Sequence, residues 1–147
     1  MAHYNPPDFL TKTVFNPLMM LSMKLGKGWR GSHILEVPGR KSGKKQSVPV
    51  NPLSFEGKRY LVAPRGNTQW VRNVRAAGGG TLRLGGKREP FKASEIADAA
   101  KPPVLRAYLK NWESETGKFF GGVTAEAPES DLVGIAPNHP IFEITKA

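Results

Sequence analysis

The 147-residue chain contains no cysteine, which excludes disulfides, thiolate nucleophiles and iron–sulfur ligation together. A reducing compartment suits such a chain, and a cytoplasmic location is expected. Histidine is sparse: His3, His33 and His139 share no spacing that would hold a metal, so no metal site is expected. His33, at the start of an apolar run, reads as structural, and no Ser–His–acid arrangement suggests itself. No stretch approaches the ~18 apolar residues of a membrane span. The nearest to a signal core, "VFNPLMMLSM", carries Asn16 and Pro17 and has no small-residue cleavage site after it, which argues against secretion. Acids are scarce over most of the chain. Residues 1–92 hold 17 Lys/Arg against 4 Asp/Glu, whereas residues 93–147 hold 5 against 8. Within a formal net charge of +10, this asymmetry points to an anionic partner for the first two-thirds: nucleic acid, an acidic membrane or a polyanionic small molecule.

What is present fits one domain over residues 1–147, with a helical segment at 1–30 and a barrel with helices at 32–147. A chain of this size buries roughly 70% of its unfolded surface and needs no covalent staple. Asn16-Pro17 reads as a helix start, with Val14, Leu18, Leu21 and Leu25 in one stripe. That helix packs over the core or touches an anionic membrane from its basic flanks; the pattern allows both. Short strand-like runs follow at Ser32–Val37, Val48–Phe55, Arg59–Ala63, Thr81–Leu84, Phe91–Ile96 and near Pro140–Thr145. Turns at Glu56–Lys58 and Gly85–Lys87 stand at hairpin spacing. Pro49 and Pro52 mark an edge strand or a bulge. Helices are expected at Thr68–Ala77, stopped by Gly78-Gly79-Gly80, and at Pro103–Phe119, with Val104, Tyr108 and Trp112 on one face. "AEAPESD" at residues 125–131 reads as a surface loop. Five or six short strands with few helices predict an α+β fold, a small and mostly antiparallel barrel with flanking helices.

Two phosphate-loop patterns fail on context. Gly26-Lys27-Gly28-Trp29-Arg30-Gly31 satisfies G-x-G-x-x-G, but a helical segment precedes it and a strand follows, the reverse of the dinucleotide fingerprint. Gly39 to Gly43-Lys44 has too few residues between its glycines for a P-loop. The stretch "PGRKSGKK" at residues 38–45 still puts four cations on flexible backbone. It is a solvated hairpin tip, or a concavity of converging N–H groups that accepts phosphate or carboxylate. A second anion-suited feature lies at "PRGNTQWVRNVRAA", where Arg65 and Gly66 precede a helix capped by Asn67 or Thr68 and its N–H groups. Asn73 on the Trp70 face matters because a buried amide requires partners. With ordinary catalytic groups lacking, an enzyme of this kind would supply binding and orientation while a cofactor supplied the chemistry.

"PGRKSGKK…SVPVNPL…YLVAPRG…QWVRNVRA" resembles the deazaflavin-dependent nitroreductase family of actinobacteria, whose members are split-barrel (FMN-binding-like) proteins that bind coenzyme F420, an 8-hydroxy-5-deazaflavin. The likeness covers residues 32–94 and, more faintly, "HPIFEIT". It is carried by a G-R-K-[ST]-G turn together with a W-x-x-N helix. The family's cofactor bears a phosphate and a glutamate tail. The resemblance therefore implies that Arg40, Lys41 and Ser42 meet the tail or phosphate, and that Gln46, Ser47, Val48 and Pro49 line the cofactor. It places Val62, Ala63, Pro64 and Arg65 around the phosphate side. Gln69, Trp70, Val71, Arg72 and Asn73 complete the implied cofactor site, with Gln69, Trp70 and Asn73 bordering the ring. Gln46 stands where the family commonly has Arg, a departure that bears on tail affinity; Lys45 beside it faces the other way in a strand. Tyr108 and Trp112 are the implied substrate-pocket residues, with Tyr108 or solvent as proton donor.

The implied reaction is hydride transfer from the reduced deazaflavin to a quinone, activated alkene or nitroaromatic. Two alternatives are a nucleic-acid-binding basic module and a split-barrel protein using FMN or haem. The first is disfavoured because residues 40–45 contain no interleaved aromatic, and no nucleic-acid partner is expected. The resemblance leaves the oligomeric state open.

Overall fold

The computed structural model describes residues 33–147. The helix expected after Asn16, with its membrane contact, and the glycine pattern at residues 26–31 lie outside those residues. Seven strands form one antiparallel sheet: β1 (His33–Pro38), β2 (Lys45–Val50), β3 (Leu53–Phe55), β4 (Lys58–Val62), β5 (Gly79–Leu84), β6 (Lys87–Glu95) and β7 (Ile141–Lys146). Their spatial order is β2-β1-β5-β6-β7-β4-β3. The helices are α1 (Gln69–Ala77), α2 (Lys101–Thr116) and α3 (Glu129–Ile135).

β2 and β3 lie at opposite edges of that order, yet only Asn51 and Pro52 separate them in the chain. In a flat sheet the two edges would stand six spacings apart, roughly 29 Å at about 4.8 Å each. Two residues span only about 7–10 Å. The sheet therefore curls until its edges approach, which is the expected split barrel. The run expected as one strand over Val48–Phe55 is two strands, because Pro52, which cannot donate to a ladder, sits where the chain passes between edges. Pro49 lies on the edge strand β2, as expected.

β4 shows how the sheet is covered. Leu61 stands opposite Phe142, and both join a cluster with Leu35, Val37, Val71, Val74 and Leu82 beneath α1. Val62 stands opposite Ile141, and both join the other cluster, with Val104, Tyr108, Leu109 and Trp112 of α2. Successive strand residues face opposite ways, so the continuous apolar run "YLVA" is what a strand buried on both faces requires.

Three local expectations change. Gly78 ends α1 in the left-handed conformation (φ 75), but Gly79 and Gly80 belong to β5. A Cβ on Gly79 would run into the Phe91 carbonyl, and one on Gly80 would lie 2.9 Å from the Glu36 carbonyl oxygen, so these glycines serve close strand approach as well as helix termination. The loop expected at residues 125–131 gives way to α3 from Glu129. Pro128 precedes it in extended conformation, Glu129 and Asp131 occupy its first turn, where acids suit the helix dipole, and Leu132 anchors it in the core. The helix expected at Pro103–Phe119 starts at Lys101, breaks its regular geometry at Trp112 (φ −130, ψ 18) and gives way to a 3-10 turn at Gly117–Phe119. No described helix is long and apolar enough to cross a membrane.

Candidate functional site

The β1–β2 hairpin ends in the cationic turn. Gly39 N–H donates to the Lys44 carbonyl at 2.8 Å, and Gly43 N–H to the Gly39 carbonyl at 2.8 Å. Ser42 Oγ accepts from Lys44 N–H at 3.1 Å. Gly43 takes φ 73, a conformation costly for a residue with Cβ. A Cβ on Gly39 would sit 3.1 Å from Ser42 Oγ and 3.3 Å from the Lys44 carbonyl. Gly43 thus suits the left-handed turn and Gly39 keeps it tight, and among the described residues the N–H groups of Lys41 and Ser42 find no acceptor.

The turn lies against α1. Arg40 N–H donates to Asn73 Oδ1 at 3.1 Å, and Arg40 Nη1 donates to Asn73 Oδ1 at 2.9 Å and to Gln69 Oε1 at 2.8 Å. Asn73 is 4% exposed, and these two bonds answer the demand of its buried carbonyl, whose desolvation unpaired would cost about 1–3 kcal/mol. Two segments 29 and 33 residues apart at these bonds thereby become one surface. α1 brings its own donors to it: Thr68 at its start makes no side-chain cap, and Asn67 Oδ1 accepts from Arg75. The first N–H groups of the helix therefore lack a capping side chain.

The four cations of the turn have different fates. Arg40 is bound to the two amides. Lys45 reaches across the opposite sheet face to Glu36 at 3.3 Å, as its alternation with Gln46 predicts. Lys41 and Lys44 have no acidic partner among the described residues. Glu36, 5% exposed, also pairs with Arg83 at 3.0 Å and Arg88 at 2.7 Å. Burial pushes its carboxyl up, but the hydrogen bond from Arg83, then Lys45 and the charge of Arg88, bring it below the usual carboxylate range. That carboxylate stays ionised on the far face and leaves the turn a set of donors.

The other residues singled out in the sequence divide. Gln46 and Val48 stand opposite Val37 and Leu35, on the α1 side, whereas Ser47 and Pro49 stand opposite Glu36 and Ile34. Val62 and Ala63 are buried in separate clusters, so Pro64 and Arg65 are the half-buried members of their stretch. The Arg65 guanidinium lies 4.6 Å from the centroid of the Phe119 ring. Gln69 and Arg72 are exposed, Trp70 is half-buried with its ring 6.1 Å from that of Phe142, and Val71 is core. Tyr108 and Trp112 are not brought to this surface. They are 2% and 7% exposed, their rings are 5.0 Å apart, and they fill the α2 core instead of lining a pocket. One residue of the turn escaped the expected set of site residues. Lys44 was signalled by its place after Gly43. Thr68, expected as a cap, makes no side-chain cap, and its buried Oγ1 finds no partner among the described residues.

A family model described as F420H(2)-dependent quinone reductase matches residues 12–118. The fold is similar to that of a solved F420-H2 dependent reductase, FDR-A, with TM-score 0.55 and 21% identity over 79% of this chain and 95% of that one. It is also similar to a protein described as a domain-swapped dimer (TM-score 0.56, 19% identity, 96% and 100% covered). A third is a NimC/NimA family protein from Clostridium acetobutylicum (TM-score 0.51, 12% identity, 91% and 86% covered). At these identities the structural likenesses speak for the fold, and no curated protein matches the chain. The family match spans most of the chain and includes both the turn and α1: this protein belongs to the F420H(2)-dependent quinone reductase family, oxidoreductases that use coenzyme F420.

Proposed function

We propose that the surface formed by the turn at residues 39–44 and the start of α1 holds the anionic end of reduced coenzyme F420, and that the protein delivers its hydride to a quinone, an activated alkene or a nitroaromatic. The observation that carries this reading is the junction of Arg40 with Gln69 and Asn73, which joins the two donor-rich segments. The residues fit the group. The turn offers N–H groups and the ammonium groups of Lys41 and Lys44, and the nearby carboxylate, Glu36, is tied to three cations on the opposite face. A phosphate or carboxylate oxygen placed there meets donors, with charge-assisted bonds roughly twice as strong as neutral ones.

When bound, the reduced deazaflavin supplies the hydride. The chain's part is to hold and orient it. Lys41, Lys44 and the turn N–H groups grip the anionic end, with the uncapped N–H groups at the start of α1 completing the set of donors. Gln46 and Val48 of β2, with Gln69 and the half-buried Trp70, extend that surface toward the ring. Tyr108, sealed in the core, is not assigned the proton; solvent supplies it. An absorbance titration with F420, followed by a screen of quinones, enones and nitroaromatics against the reduced form, tests the proposal. Saturable binding and oxidation of the reduced cofactor by at least one of these classes is the expected result; no binding at low salt ends it.

A further inference from the structure

The most conspicuous cation of the sequence is Arg40, in the middle of the glycine turn, and its residue type suggests a direct anion ligand. The geometry assigns it other work. Its backbone N–H and Nη1 both donate to one atom, Asn73 Oδ1, and Nη1 also donates to Gln69 Oε1. The acceptor amide is buried, and among the described residues the hydrogen bonds between the turn and α1 all come from Arg40. Lys41 and Lys44, flanking it, have no acidic partner among the described residues.

We infer that Arg40, Gln69 and Asn73 form a positioning clamp: Arg40 fixes the turn on α1 through the two amides, and Lys41, Lys44 and the turn N–H groups make the contacts to the bound anion. The inference rests on the proposed cofactor site and divides its residues into those that hold the ligand and those that hold the holder. Guanidinium and ammonium differ in the feature that matters. A planar fork can serve two amide oxygens at fixed angles, whereas lysine supplies the same charge from a single point. A direct anion contact tolerates that exchange better than a clamp does.

The test measures F420 affinity by calorimetry, alongside amide hydrogen exchange in the ligand-free protein. Arg40→Lys, which keeps the charge, is expected to weaken F420 binding by about tenfold or more, close to the loss in Arg40→Ala. Asn73→Ala, which removes no charge, is expected to lose a comparable factor. The double variant Arg40→Ala/Asn73→Ala is expected to be no worse than either single one, because both break the same contact. In the ligand-free protein the Arg40 amide should exchange faster in Asn73→Ala while the β5–β6 amides stay protected. Near-native affinity in Arg40→Lys overturns the clamp, as does additive loss in the double variant. Should Asn73→Ala fail to fold, Arg40→Lys and the exposed-site variant Gln69→Ala carry the comparison. If the native protein binds no F420, the proposed function falls, and the Arg40 amide exchange still decides whether the clamp exists.

Discussion

The two faces of the curled sheet are finished differently. On the α2 side, Tyr108, Trp112, Phe120, Leu105 and Leu109 close over β4 and Ile141 as a dense aromatic and aliphatic core. Arg106 and Lys101 turn their charged ends to backbone carbonyls of Ala125 and Ala136. On the α1 side the core is as apolar, but its rim carries a buried amide, a glycine turn with unanswered N–H groups, and lysines with no acidic partner. Side chains that satisfy one another stabilise a fold and leave nothing over for a ligand. Donors left unsatisfied at a rim cost little while water reaches them, and they remain available. On the proposed reading, binding belongs to the α1 side and stability to the α2 side.

The sharpest way to break that contrast is from the core. Leu109→Ala, at 0% exposure, should cost about 2–5 kcal/mol through lost contacts and a cavity, read as a lower denaturation midpoint. F420 affinity of the still-folded fraction should be unchanged, and a tenfold loss of affinity would extend the site across the sheet. Glu36→Gln comes next. It leaves Arg83 without its ionic partner in a mostly buried place, while Lys45 and Arg88, more than half exposed, can turn to water. The expected loss is about 2 kcal/mol near neutral pH.

The same residue gives a pH test. Its folded carboxyl titrates below its ordinary value of 4.5, so its contribution is complete above about pH 4.5 and is lost as the pH falls toward the lower folded value. The native protein should lose stability across that acid window, and Glu36→Gln should lose less there.

Smaller effects separate the sides further. Lys41→Ala and Lys44→Ala should each weaken F420 binding about three- to tenfold, with little change in melting temperature, and the loss should shrink at high salt. Tyr108→Phe should lower stability by about 1 kcal/mol or less and leave turnover unchanged; a collapse of turnover alone would return the tyrosine to the chemistry. Arg75→Ala, which breaks the bidentate pair with Glu95 at 2.7 and 2.6 Å, should cost only about 0.2–1 kcal/mol because both partners are near the surface. Its measurement sets the scale of an ordinary exposed ion pair here.

Much of this was legible in the sequence for a local reason. The strands announced themselves as short apolar runs, and the hairpin at Glu56–Gly57 did so through Gly57, which takes φ 76, while Glu56 beside it takes φ 50, an uncommon conformation for a residue with a Cβ. α1 was legible from the Trp70–Asn73 face and from Gly78. What was hidden depended on distant partners. Nothing local shows that Asn51-Pro52 carries the chain from one sheet edge to the other, since that follows from five strands yet to come. The glycines at 79 and 80 look like a helix stop unless Phe91 and Glu36 are known to press on them. Tyr108 looks like a pocket residue on a helical face until Phe120 and Trp112 enclose it. At the proposed site, the amide demand of Asn73 was readable but its answer, Arg40, was not, so the turn's cations looked equivalent. Lys45 alone was separable, because strand alternation is a local rule.

The central claim is that the cationic turn and the start of α1 form one seat for a polyanionic deazaflavin. A titration of the native protein and of Lys41→Ala/Lys44→Ala with F420, followed by absorbance at low and at high salt, tests it most directly. The account predicts saturable binding by the native protein that weakens with salt, and a double variant that binds far more weakly with little remaining response to salt. Equal affinity in the two proteins, or no binding by the native one, would contradict it.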